Sequence, residues 1–205
     1  MPPHLGVICL MATTKASDKV YQLKITLMGC KPPIWRRILV PGSMTLCCLH
    51  SAIQEVMGWS DTHLHEFEKD GNLWGPADSQ SFEEQGHRDE SQMRLDQLLR
   101  FVKNSCQYIY DFGDYWRHKI VVEKILPANG LIKPCCIAGK RHCPIEDIGG
   151  PGGYADFLDD STYDPDLEEH EHTRELRENF VDVFDIDAAN SELARMEWPV
   201  QHFRH

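Results

Sequence analysis

The chain has 205 residues, an apolar fraction of 41% and a net charge of -11, enough to bury a core in one large domain or two small ones. No run of about 18 apolar residues occurs, which excludes a membrane-spanning helix. The eight cysteines include neighbours at Cys47-Cys48 and Cys135-Cys136, which do not suit a secreted disulfide framework, so reduced thiols in a cytoplasmic protein are expected.

Residues 1–18 carry no strand or helix pattern and read as a disordered or mis-started segment, with translation beginning at Met11. Residues 19–205 read as one domain, a core over 19–127 followed by an extension over 128–205. Tyr21, Leu23, Ile25 and Leu27 alternate with Gln22, Lys24 and Thr26, the period of a strand with one wet face. Trp35 to Val40 reads as its hairpin partner. Thr45 is placed to cap a helix whose apolar residues Leu46, Leu49, Ile53 and Val56 fall at helical spacing, and Gly58 supplies a left-handed stop. His63 to Glu68 alternates again, and Asp70-Gly71-Asn72 turns it into a short strand ending near Trp74. A polar loop spans Gly75 to Ser91, and a short helix spans Leu95 to Val102. Cys106 to Phe112 and Arg117 to Leu126 are two further strands joined at Gly113-Asp114. Trp35, Trp59 and Phe112 are expected in the core. The order predicts an α+β fold of β-grasp (ubiquitin-like) type, a mixed sheet extended by one strand.

Ala128 to Gly153 lacks periodicity and reads as a long loop. Beyond it, helices are expected around Leu167 to Phe180 and Ala188 to Trp198. From Asp156 to Glu192 fourteen acids face only Arg174 and Arg177, a local charge of -12, and the rest of the chain carries about +1. Duplex DNA needs a basic footprint, so no direct DNA binding is expected.

Asp111-Phe112-Gly113 lacks the phosphate loop and catalytic loop of a kinase. It reads as a turn with Gly113 at positive φ and Asp111 and Asp114 bonded to its backbone. His63 and His65, two apart, share a strand face, and His118 shares another with Ile120 and Val122. Cys136 and Cys143, with Cys135 and His142 nearby, offer thiolate and imidazole chemistry that suits zinc. A zinc site of Cys136, Cys143 and His63 or His118 is the metal-binding expectation, set against packing thiols and buried structural histidines. Glu146 and Asp147 are an acid pair that can cap backbone or exchange protons. Gly149 to Gly153 lacks the lysine of a P-loop and reads as tight packing or a lid.

Several stretches recur together: Lys31-Pro32-Pro33-Ile34-Trp35-Arg36-Arg37, Met57-Gly58-Trp59-Ser60-Asp61, His63-Leu64-His65-Glu66-Phe67, Asp111 to His118 and Cys143 to Tyr154. In this order the chain resembles the plasmid pRiA4b ORF-3-like proteins, with Ile145 where that family usually has a second proline. The resemblance implies passengers of mobile elements with unassigned activity. It carries no recombinase motif. The expected function is a cytosolic interaction module for a protein partner. The alternative is a zinc-type enzyme, its site between the His63/His65 strand, His118 and the Cys136-to-Tyr154 loop. Neither oligomeric state nor catalytic residues can be read from the sequence.

Overall fold

The computed structural model describes residues 19–77, 86–128, 130–159 and 176–198. The predicted segment 1–18 and most of the predicted helix over 167–180 lie outside them. The strands are β1 (Lys19–Leu27), β2 (Ile34–Pro41), β3 (His65–Lys69), β4 (Asn72–Gly75), β5 (Arg88–Asp89), β6 (Ser105–Tyr110), β7 (Trp116–Pro127) and β8 (Cys135–Lys140). The helices are α1 (Leu46–Met57), α2 (Leu95–Leu98), α3 (Gly150–Leu158) and α4 (Ile186–Arg195), with a 3-10 turn at Glu90–Gln92. The strands form one sheet in the order β5-β4-β3-β6-β7-β1-β2-β8, so the class is α+β. Its mixed character does not come from the strands that flank α1. β2 lies between β1 and β8, β3 lies between β4 and β6, and the parallel pair is β4 with β5.

The two-residue period places Leu23 opposite Ile38 and Val122, and Ile25 opposite Arg36 and Ile120. All of these are buried. Helix α1 covers this inner face with Leu46, Leu49, Ile53 and Val56. Its start is the expected one: the Thr45 hydroxyl accepts from Cys48 N–H at 3.4 Å. Its end is Gly58 at φ 86, donating to Gln54 O at 2.8 Å, where a side chain would strain the backbone. The predicted helix over 95–102 is a single turn.

The stretch read as an aperiodic loop contains β8, the outermost strand beside β2. It escapes the alternation test because small residues replace bulky ones on its inner face. Gly139 leaves the space that the Phe184 ring fills, and the Arg36 guanidinium lies 3.9 Å from that ring. Arg36 is buried and donates to Val56 O, Trp35 O and Lys140 O, tying β2 to the end of α1 and to β8. The Asn190 amide of α4 pairs with Cys136 N–H and C=O at 2.8 and 2.9 Å. It occupies the bonding positions that a further strand would use.

Two core assignments change. Trp59 is buried, but Phe112 is 42% exposed, and Trp116 is the aromatic that fills the core there. Trp35 is half-buried on the outer face, with Lys24 and Arg37 over its ring.

Candidate functional site

Antiparallel pairing brings the start of β3, the end of β6, the start of β7 and the end of β8 to one end of the sheet. Three connections meet there: residues 58–64, the turn 111–115 and residues 141–149. Polar bonds fix them to one another. The Glu146 carboxylate accepts from Ser60 N–H at 3.0 Å and from the Tyr110 hydroxyl at 2.6 Å. Tyr110 accepts in turn from Thr62 N–H at 3.1 Å. The Trp59 indole N–H donates to Pro144 O at 3.0 Å and its ring stacks on Tyr110. Burial, and then the Glu146 carboxylate, push the Tyr110 phenol well above its ordinary value, so it remains a donor.

The glycine run completes the frame. A side chain at Gly150 would strike Asp114 O, and one at Gly153 would strike Ile148 O. Tight packing is therefore what the glycines serve. Gly149 N–H donates to the Asp114 carboxylate at 3.2 Å, so the N-terminus of α3 already faces an anion.

On this frame His63, Asp111 and Asp147 converge. His63 Nε2 stands 3.3 Å from Asp147 Oδ1 and 3.8 Å from Asp111 Oδ2. It is shielded from solvent yet has hydrogen-bond geometry to neither carboxylate. Asp111 and Asp147 both hold left-handed backbone, at φ 58 and 59. Such conformations are uncommon outside glycine and concentrate at functional sites. The Asp111 strain is supported locally, because its Oδ1 accepts from Gly113 N–H at 2.8 Å. The turn departs from expectation: Asp111 and Tyr115, not Gly113, take positive φ, and Asp114 bonds to Gly149 instead of its own turn.

Among the described residues, two sets of three ligand-type side chains bring their donor atoms within 4.8 Å: His63/Asp111/Asp147 and His50/Asp61/His65. Of the four expected zinc ligands only His63 belongs to either. His63 precedes β3, so it does not share a strand face with His65, which is buried and faces Glu90. His118 is fully buried against the rings of Trp59 and Tyr108. Burial pushes its imidazole down to about 3. Backbone groups of Tyr108 and Trp116 bias it the other way without reaching hydrogen-bond geometry. Cys136 and Cys143 are buried thiols, both raised by burial, and both feel the Arg36 guanidinium. Arg36 favours the thiolate at both, and burial outweighs it.

The region chosen from the sequence contains the convergence, and the side chains that meet there are one imidazole and two carboxylates, without Cys136 or Cys143. The Glu146-Asp147 pair carried the signal. Glu146 anchors the loops and Asp147 faces His63, a division that residue type alone does not reveal. A separate cavity of about 500 Å³ opens beside Lys69, Gln107, Arg117 and Lys119 and shares no residue with the cluster.

Comparison with known proteins agrees with this architecture. An uncharacterized protein, y4hQ of Sinorhizobium fredii, is 39% identical over 160 residues, 76% of this chain and 79% of that one. The crystal structure of a protein of unknown function from Methanosarcina mazei Go1 superposes with a TM-score of 0.69 at 40% identity, covering 85% of this chain and 98% of that one. Residues 19–192 match the profile of the plasmid pRiA4b ORF-3-like proteins, and the chain belongs to that family.

Proposed function

We propose that the chain is a divalent-cation-dependent enzyme of hydrolytic type, with the cation held by His63, Asp111 and Asp147. The observation that carries this reading is the His63 Nε2 atom, shielded from water, aimed between two carboxylates and hydrogen-bonded to neither. A cation among the three supplies the missing partner. One imidazole and two carboxylates suit Mn²⁺ or Mg²⁺ better than a thiolate-loving ion. Three protein ligands leave coordination positions for water, which such a cation activates as a nucleophile. Asp114 and Glu146 nearby oppose an anionic substrate. Exposed Leu64, Phe112 and Tyr115, each adjoining His63, Asp111 or Asp114 in sequence, favour a neutral substrate with an apolar part. The test is calorimetric titration of Mn²⁺ into the full chain, paired with hydrolysis of a neutral chromogenic ester. The expected result is binding and cation-dependent turnover that Asp147→Asn and His63→Gln abolish. Unchanged Mn²⁺ affinity in both variants would overturn the reading.

The strand order β4-β3-β6-β7-β1-β2 around α1 supports a β-grasp-like core, in which the β6–β7 hairpin stands where a β-grasp has one strand. A second reading, a cytosolic protein-interaction module, is favoured by the outer sheet face. Lys24, Trp35, Arg37, Lys119 and Lys140 lie there in neighbouring register positions, a surface complementary to an acidic partner. The two readings part at Asp147→Asn, which abolishes the first activity and leaves the second intact.

A further inference from the structure

The cavity on the outer sheet face has a volume of about 500 Å³, within the roughly 300–1,000 Å³ that small-molecule sites occupy. Strand register sets out its wall. Glu68 of β3 pairs with Gln107 of β6, and Gln107 pairs with Lys119 of β7, so the three form one cross-strand row. Arg117 stands two residues before Lys119 on the same strand and projects to the same side. Met28, just past β1, donates its N–H to Arg117 O at 2.8 Å and adds an exposed apolar side chain to the lining.

The charges around this cavity do not cancel. Lys69 pairs with Asp70. Glu68 accepts from Gly71 N–H and from the Gln107 amide, each at 3.0 Å, so its carboxylate is already supplied with donors. The Arg117 guanidinium lies 5.8 Å from the centre of the Tyr115 ring, a contact that occupies none of its N–H groups. Among the described residues, neither Arg117 nor Lys119 pairs with a carboxylate. Two positive charges are left on one wall. Glu68 is two strand spacings from Lys119, roughly 10 Å, about a Debye length at physiological salt, so it offsets them weakly.

Gln107 reaches the cavity with its orientation set. Its Nε2 is committed to Glu68, which leaves its Oε1 to accept, and Ser105 lines the same space. An accepting amide beside two cations suits a ligand that carries both an anionic head and a hydroxyl group.

We propose that this cavity binds a small hydroxylated phosphate monoester, its phosphate on Arg117 and Lys119 and a hydroxyl on Gln107. Charge decides between oxyanions. A phosphate monoester carries about 1.5 to 2 negative charges at neutral pH, which matches two unpaired cations, whereas a carboxylate carries half as much. The arginine fork takes phosphate oxygens in pairs, and the lysine adds a point charge. The site shares no residue with His63, Asp111 and Asp147 and does not depend on the cation reading there.

The experiment titrates glycerol 3-phosphate into the full chain and follows its phosphorus resonance, with glycerate as the carboxylate analogue of the same body. Saturable binding of glycerol 3-phosphate is expected in the wild type and in Asp147→Asn, tighter than that of glycerate. Arg117→Gln and Lys119→Gln, at exposed positions that tolerate change, should each weaken it by about tenfold or more. Lys140→Gln, on β8 and outside the cavity, should leave it unchanged. Absence of saturable binding in the wild type, or wild-type affinity in both Arg117→Gln and Lys119→Gln, would overturn the proposal. So would an equal loss in Lys140→Gln, which would reduce the effect to general attraction by the sheet face. Glycerate bound as tightly as glycerol 3-phosphate would overturn the assignment to phosphate.

Discussion

Phe112 and Trp116 stand four residues apart and have opposite environments. Phe112 is largely exposed beside the cluster and Trp116 is fully buried. Phe112→Ala should change stability by no more than about 0.5 kcal/mol, and Trp116→Ala should cost about 3–5 kcal/mol, both read by urea denaturation. An equal cost for the two would return Phe112 to the core. On the outer face, Glu123 accepts from Arg37 at 2.5 and 2.8 Å and from Gln22 at 2.7 Å. The Arg37 bonds hold its carboxyl down at about 2, against an ordinary 4.5. A depressed carboxylate contributes stability that is complete above its ordinary value and lost as pH falls toward the lowered one. Glu123→Gln should therefore flatten the acid decline of stability between those two pH values, and an unchanged slope would mean that the pair contributes nothing. His63 was legible as a candidate ligand from its type and setting. Asp147 was legible as a candidate acid but not as a neighbour of His63, and Asp111 was read only as a turn residue, because their convergence depends on left-handed backbone and on three distant connections meeting, neither of which a spacing rule encodes.

Elements with a clean period were legible: β1, β2, β7 and α1 agree with the sequence within a residue or two, because each buries one regular face. Strand β8 was missed for a physical reason. Its inner face is filled from outside by Phe184 and Arg36, so its own residues need not be large. The glycine run before α3 was legible as packing but not in its targets. Gly153→Ala should destabilise by about 1–3 kcal/mol, since the new methyl group meets Ile148 O with no flexible neighbour to yield. Gly152→Ala, with open space around it, should be neutral or slightly stabilising. Comparing the two Tm values checks this directly, and equal effects would contradict the packing account.

Across the whole molecule, charge separates from structure in a way that constrains partners. The outer sheet face is cationic while the sequence after Asp156 is acidic, and the net charge of -11 disfavours polyanions at long range. Duplex DNA should form no submicromolar complex at physiological salt in a gel-shift titration. A tight, steeply salt-dependent complex would instead point to the outer face as a nucleic-acid surface. The α+β class was legible from element order, whereas the strand neighbours were not, because pairing across the sheet is set by long-range register. The site follows from that register, which carries the starts of β3 and β7 and the ends of β6 and β8 to one rim. The central claim is that His63, Asp111 and Asp147 hold a cation with water still bound to it. Water-proton relaxation of Mn²⁺ added to the stripped protein tests this most directly, because only a bound ion with exchanging water enhances the rate. The account predicts a marked enhancement in the wild type, lost in Asp147→Asn. Relaxation equal to that of free Mn²⁺ in the wild type, or the same enhancement in Asp147→Asn, would contradict it.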